Sequence, residues 1–222
     1  MNVRRATVHD VPALLAIKHA LRFTGSSQGG FLLGSDEEEY RQRVDEGQVW
    51  VLETRSEVQG FAVTLGSAAF SKSPLWELRH QVRWGDLSTG GLTERVGYFD
   101  QLAVKRGTPA RAAMLLAFVA LWNLLAIDRQ VVTTTVVGPV RNQAAVPLIQ
   151  LVGGVYAGEL DEAYPGIGRL TSGIWVIAAD ATKERVLGAL RSSQPSVLSA
   201  IAGIASRTGV ADLTALLHCL GP

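Results

Sequence analysis

The chain has 222 residues, 47% of them apolar and 18% charged, enough for one well-buried domain with an appendage and too few for two large ones. Lys and Arg number 21 against 20 Asp and Glu, so no global field draws the protein to nucleic acid or to an anionic membrane, and any anion site must be local. A single cysteine, Cys219, excludes a disulfide framework and a cysteine-rich metal centre and fits a reducing cytoplasm.

The opening residues, Met1 to Arg5, lead into a mixed polar segment rather than the apolar core of a signal peptide. The pattern predicts a strand over 2–7 and a helix from Asp10, whose carboxylate can cap the first turn with Pro12 tolerated inside it. Gly25 to Gly30 break that helix, and Ser35-Asp36-Glu37-Glu38 is the capping signal of a second, polar helix reaching Glu46. Two β-rich runs, Gln48 to Thr54 and Gln59 to Leu65, flank a short polar turn in the manner of a hairpin. Ala69 to Gly97 reads as a long loop with one short helix, and long loops in compact domains tend to be functional.

A strand follows over 98–104, then Lys105-Arg106-Gly107-Thr108, then an apolar helix over 109–127. Its run from Ala112 to Ile127 is short of the roughly 20 residues that span a bilayer and contains Asn123, which makes it a core helix. Val131 to Val137 is a β-branched strand bounded by Gly138-Pro139. A helix from Asn142 ends at Gly153-Gly154, a strand lies near Val155, Asp161 to Gly168 reads as a loop, and Leu170 to Ile177 is the last strand. Alternation of strands and helices makes the class α/β with a parallel component. Beyond Ala178 only helical periodicity remains, over 183–190, 196–205 and 210–220, which divides the chain into a domain of residues 1–177 and a helical appendage of residues 178–222.

The strand, basic loop and helix over 98–127 are the most informative unit. A helix start offers unpaired N–H groups and a positive dipole end, and Lys105, Arg106 and Arg111 add charge where a pyrophosphate could sit; the same residues also suit a solvated loop. The segment from Leu102 through Ala103, Val104, Arg106, Gly107, Thr108, Ala110 and Arg111 to Ala112, with Asn142, Ala145, Leu148 and Gly153 of the later helix, resembles the GNAT superfamily of acetyl-coenzyme-A-dependent N-acetyltransferases. The resemblance extends over Met1 to about Ile177. Pro109 and Arg111 stand where two cofactor-facing glycines are usual, and Ile149 where a thiolate-protonating Tyr often stands.

The resemblance implies a GNAT-like mixed α+β sheet and acetyl-CoA as co-substrate, bound by Leu102, Ala103, Val104, Arg106, Gly107, Thr108, Ala110, Arg111, Ala112 and Asn142. It implies direct attack of an amine on the thioester, whose carbonyl faces a main-chain N–H near Leu102 or Ala103. An amine is protonated at neutral pH and needs a base. Period-two alternation puts Tyr98, Asp100 and Leu102 on one strand face; Asp100 is the candidate base, against the alternative of a carboxylate bonded to neighbouring backbone or Arg. Tyr98 and Tyr156 complete the candidate catalytic set, with Tyr156 the general acid or else a core residue. Trp76, Trp84 and Tyr98 either line an acceptor pocket or simply pack.

The expected acceptor is a small-molecule or peptide amine. The four histidines, His9, His19, His80 and His218, show no ligand spacing, so no metal is expected. A degenerate module that binds CoA without turnover is the alternative function. Helix-turn-helix pacing over 196–220 is a third reading, but 210–220 carries no Lys or Arg, so DNA contact is not expected. The apolar stripes of that region must be covered by the chain's own domain or by a second subunit in a homodimer.

Overall fold

The computed structural model describes residues 1–23, 30–85, 92, 95–142, 144–164 and 166–191. Helices expected over 196–205 and 210–220, together with Cys219 and His218, lie outside the described residues. Strand β1 (Asn2–Arg5) leads through a 3-10 turn into α1 (Val11–Ala20), with Pro12 in its first turn. Helix α2 (Glu37–Asp45) starts at Asp36, whose carboxylate accepts from the Glu39 N–H in a capping box. The hairpin is β2 (Val49–Thr54) and β3 (Glu57–Leu65).

The stretch expected to be a loop is more ordered where it is described. It forms α3 (Ser67–Phe70), α4 (Pro74–Glu77), a 3-10 turn over Leu78–Gln81 and the two-residue strand β4 (Arg83–Trp84). Then come β5 (Val96–Val104), α5 (Ala110–Leu125), β6 (Gln130–Gly138), α6 (Val146–Leu151), β7 (Val155–Tyr164), β8 (Gly168–Ala178) and α7 (Ala179–Arg191). Strand β7 runs through residues expected to be a loop, because its pairing with β8 from Val155↔Val176 to Tyr164↔Gly168 overrides the poor strand propensity of Glu-Leu-Asp-Glu-Ala.

The eight strands among the described residues make one sheet in the order β1-β2-β3-β5-β6-β8-β7-β4, with β5 and β6 its parallel pair. Helices α1 and α2 cover one face, where Leu14, Ile17, Tyr40 and Val44 meet Phe61, Tyr98, Val132 and Ile174. Helix α5 covers the other, packing Leu116, Val119, Ala120 and Trp122 on Val3, Trp50, Leu52 and Ala62. The expected core helix is thus buried against a sheet, and among the described residues no helix is long and apolar enough to cross a membrane.

Candidate active site

Strands β5 and β6 pair over four positions only, from Val96↔Gln130 to Phe99↔Thr133, although each continues beyond that point. The strands part there and open a cleft of about 580 Å³. On its β3 side β5 stays paired to Val104, and the Lys105 N–H donates to the Gln59 carbonyl at 2.8 Å. Main-chain groups alternate sides along a strand, so those of Leu102 and Val104 face away from β3 and into the opening. The second wall is α5, which presents Ala110, Ala113, Met114, Ala117, Phe118 and Leu121, one stripe at helical spacing. From Ala110 to Leu121 this wall is ~16 Å long at 1.5 Å per residue.

The basic loop lies at the open end of that wall. A Thr108 N–H bond to the Lys105 carbonyl at 3.1 Å closes its turn, and Gly107 takes φ +86°, a left-handed conformation that favours glycine. Helix α5 starts just after Pro109 with its first N–H groups lacking intrahelical acceptors. Among the described residues, no ion pair involves Lys105, Arg106 or Arg111.

A bulge in β5 re-aims the residues at the vertex. Val63 pairs with Gln101 and Thr64 with Phe99, which leaves Asp100 as the extra residue. The expected face of Tyr98, Asp100 and Leu102 is therefore broken. Tyr98 lies with Ala103 on the α1–α2 side, whereas Phe99, Leu102 and Val104 pack towards α5. Gln101 is on the Tyr98 side, accepting from the Tyr40 hydroxyl at 2.8 Å and donating to Ser35 Oγ at 3.0 Å.

Asp100 lines the cleft, and burial pushes its carboxyl up to about 6 against the opposing influences of Arg43 and the Tyr98 hydroxyl, with Glu39 reinforcing burial. The Tyr98 hydroxyl shares a 3.0 Å hydrogen bond with Thr134 Oγ1 and is raised well above its ordinary value, by burial first and then by Asp100. Leu160, Glu162 and Tyr164 share a face of β7 by alternation, and Tyr164, Thr134 and Ser172 line the same cleft. Burial raises Tyr164 to about 12, with Glu162 and Asp100 adding to it. Glu162 is likewise raised by burial, against a hydrogen bond from the Ser172 hydroxyl.

Of the expected site residues, Tyr98, Asp100, Leu102, Ala103, Val104, Ala110 and Asn142 line the cleft. Asn142 does so while tied across it: its side-chain N–H donates to the Phe31 carbonyl at 2.7 Å, joining the α1–α2 connection to the segment after β6. Arg106, Gly107, Thr108 and Arg111 are not among the residues that line the cleft, although Val104 and Ala110 on either side of the loop are, and Ala112 turns into the core beneath α5. Ile149 lines the cleft where a hydroxyl would be expected.

Tyr156 is not brought to Asp100. It lies edge-on to Trp175 with centroids 5.1 Å apart, and its hydroxyl donates to Glu159 at 2.8 Å in an adjoining concavity beside Arg141 that shares Thr135, Val136, Asn142 and Pro147 with the cleft but not Tyr98 or Asp100. The bulge at Ala157, between the pairs Tyr156↔Trp175 and Gly158↔Ile174, interrupts the alternation that would relate Tyr156 to Glu162. Trp76 packs on Phe70 with centroids 5.4 Å apart, and Trp84 is 37% exposed on β4; neither lines the cleft. Sequence reasoning missed Thr134, Glu162, Tyr164 and Ser172. The polar alternation Leu160-Asp161-Glu162-Ala163-Tyr164 was the available signal, masked by its loop-like composition. Among the described residues, no group of three His, Cys, Asp or Glu could hold a metal ion.

No protein-family model matches the chain, and no curated protein matches it. Solved structures do resemble it. A ribosomal-protein-alanine N-acetyltransferase from Brucella melitensis superposes with a TM-score of 0.55 at 19% identity, covering 80% of this chain and 99% of its own. A GNAT-family acetyltransferase from Streptococcus agalactiae gives 0.55 at 14% identity, covering 80% and 94%. The yncA protein of Salmonella typhimurium, solved with its cofactor acetyl-CoA, gives 0.53 at 16% identity, covering 81% and 94%. The architecture is the mixed-sheet GNAT acyltransferase fold.

Proposed function

We propose that the chain is an N-acetyltransferase that moves an acetyl group from acetyl-CoA to an amine by direct attack. The observation that carries this reading is the parting of β5 from β6 after Phe99 and Thr133. It exposes the Leu102 and Val104 main chain along an apolar cleft next to a loop with three cations that form no ion pair among the described residues. Such a cleft suits a pantetheine arm, with Lys105, Arg106, Arg111 and the α5 start positioned for phosphate. Bound there, acetyl-CoA supplies the activated acyl group.

The protein's own part is proton management and charge stabilisation. Asp100 takes the ammonium proton of the acceptor, directly or through one water. The Leu102 N–H is positioned to stabilise negative charge on the acyl oxygen. Tyr98, kept protonated, is the hydroxyl beside Asp100 that can return a proton to the departing sulfur, the role that Tyr156 cannot fill from its position.

Titration calorimetry with coenzyme A on the folded protein tests the binding claim, and heat of binding at millimolar ligand or below is expected. Release of free thiol with an amine present then separates an enzyme from a module that binds without turnover. A flat calorimetric trace would overturn the reading.

A further inference from the structure

Polar groups on the side of the cleft away from α5 are a carboxylate and hydroxyls, set on four adjacent strands. Thr134 on β6 and Ser172 on β8 lie between Tyr98 on β5 and Tyr164 on β7. Glu162 is two residues from Tyr164 on the same face, and its pairing with Leu170 beside Leu160↔Ser172 makes it a diagonal neighbour of Ser172. Asp100 stands on the bulge at the vertex. Among the described residues neither Asp100 nor Glu162 forms an ion pair. Arg43, the cation that acts on Asp100, has its guanidinium on Gln48 Oε1 at 2.9 Å.

Two half-buried carboxylates without an ion pair among the described residues are unfavourable in their charged form unless a partner arrives. One carboxylate is enough to deprotonate one amine. We propose that the second defines the acceptor: it carries another positive group besides the amine that reacts, and Glu162 with the Tyr164 ring holds that group while Asp100 serves the reacting nitrogen. An aromatic ring two residues from the carboxylate on one strand face suits an ammonium, whose attraction to an aromatic adds to its attraction to the acid. Glu162 is in this account a specificity residue of the acyltransferase reading, on which the inference rests.

The test compares diaminobutane with butylamine as acceptors at saturating acetyl-CoA, and by calorimetry in the presence of coenzyme A. The expected preference for the diamine is about ten-fold or more in kcat/KM, the scale of one hydrogen bond to a charged group. In Glu162→Gln, which keeps shape and removes the charge, the diamine-to-butylamine ratio falls to near one, through KM rather than kcat. Glu162→Asp retains part of the preference, which a merely structural role would not predict. Equal use of the two amines by the unaltered protein, or an unchanged ratio in Glu162→Gln, overturns the inference while leaving coenzyme A binding intact. Should no amine turn over, absence of diamine heat with coenzyme A bound overturns it equally. Loss of coenzyme A binding itself would instead strike the reading beneath.

Discussion

Burial raises Asp100 to about 6, so the folded chain holds this proton more tightly than the unfolded chain, where Asp titrates near about 3.9. Stability is therefore lost as pH rises through that window, and at neutral pH the ionised carboxylate is a net cost on the order of 1–3 kcal/mol. Asp100→Asn should lower turnover at saturating acetyl-CoA, leave coenzyme A affinity nearly unchanged and raise the melting temperature at pH 7. If Asp100 is the base, kcat/KM for the acceptor in the unaltered protein should fall below about pH 6, where that carboxyl is protonated. Undiminished turnover in the variant would reduce Asp100 to a structural group. Asp10 has the opposite sign. It is lowered to about 2, first by the Arg4 side chain and further by Thr7, with Arg4 bonded at 2.8 and 3.0 Å. Its contribution is present above about pH 4 and is lost as pH falls towards about 2. Asp10→Asn should therefore destabilise the protein by about 2 kcal/mol at neutral pH in denaturant melts, with little difference from the parent in strong acid.

Strand β5 carries two departures from regular geometry close together, the bulge at Asp100 and the end of its pairing with β6, and α5 holds the shape of both. A β-carbon at Gly97 would stand 2.7 Å from Leu124 Cδ1 and 2.8 Å from Asp128 Oδ2, so α5 rests on the bare backbone below the vertex. Gly97→Ala should cost about 1–3 kcal/mol by overpacking, lower the melting temperature and, by shifting the cleft wall, weaken coenzyme A binding; an unchanged melting temperature would show that the contact yields freely. The elements that build this wall of the cleft were legible in the sequence. Lys105 to Thr108 before an apolar helix, and Gly153 after the next, are local signals, and Gly153 does adopt φ +90° at the end of α6. The acceptor side was not legible. Alternation assigns faces only while a strand stays regular, and the Asp100 bulge moves Leu102 away from Tyr98. Glu162 and Tyr164 owe their strand geometry to β8, a partner that composition does not reveal, and Tyr156, the hydroxyl that sequence favoured, has Glu159 as its partner in the adjoining concavity.

Across the whole molecule, the last described helix is bound to the cleft through α6. Thr182, 1% exposed, donates to the Val152 carbonyl at 2.8 Å, and Arg185 donates to the Gln150 carbonyl at 3.3 Å. Thr182 thus supplies a donor to the carbonyl that caps α6, Arg185 adds to a Gln150 carbonyl that also accepts from the Gly153 N–H at 3.1 Å, and α6 supplies Leu148, Ile149 and Leu151 to the cleft. A boundary at residue 178 would thus cut through a set of supports. Two truncations separate the parts. A chain ending at Asp180 loses Thr182 and Arg185 and should bind coenzyme A more weakly, with a lower melting temperature, because α6 loses its C-terminal partners. A chain ending at Arg191 keeps them and should retain the affinity of the full chain by calorimetry. It removes Val197, Leu198, Ile201 and Ile204 and also Leu213, Leu216, Leu217 and Leu220, stripes whose spacing demands cover. If they cover the acceptor end of the cleft, the shorter chain keeps its mass in light scattering and its acceptor KM changes. If they join two copies, its mass halves and KM for the acceptor is unaltered. Equal loss of coenzyme A affinity in both truncations would show that support for α6 comes from beyond Arg191 rather than from α7.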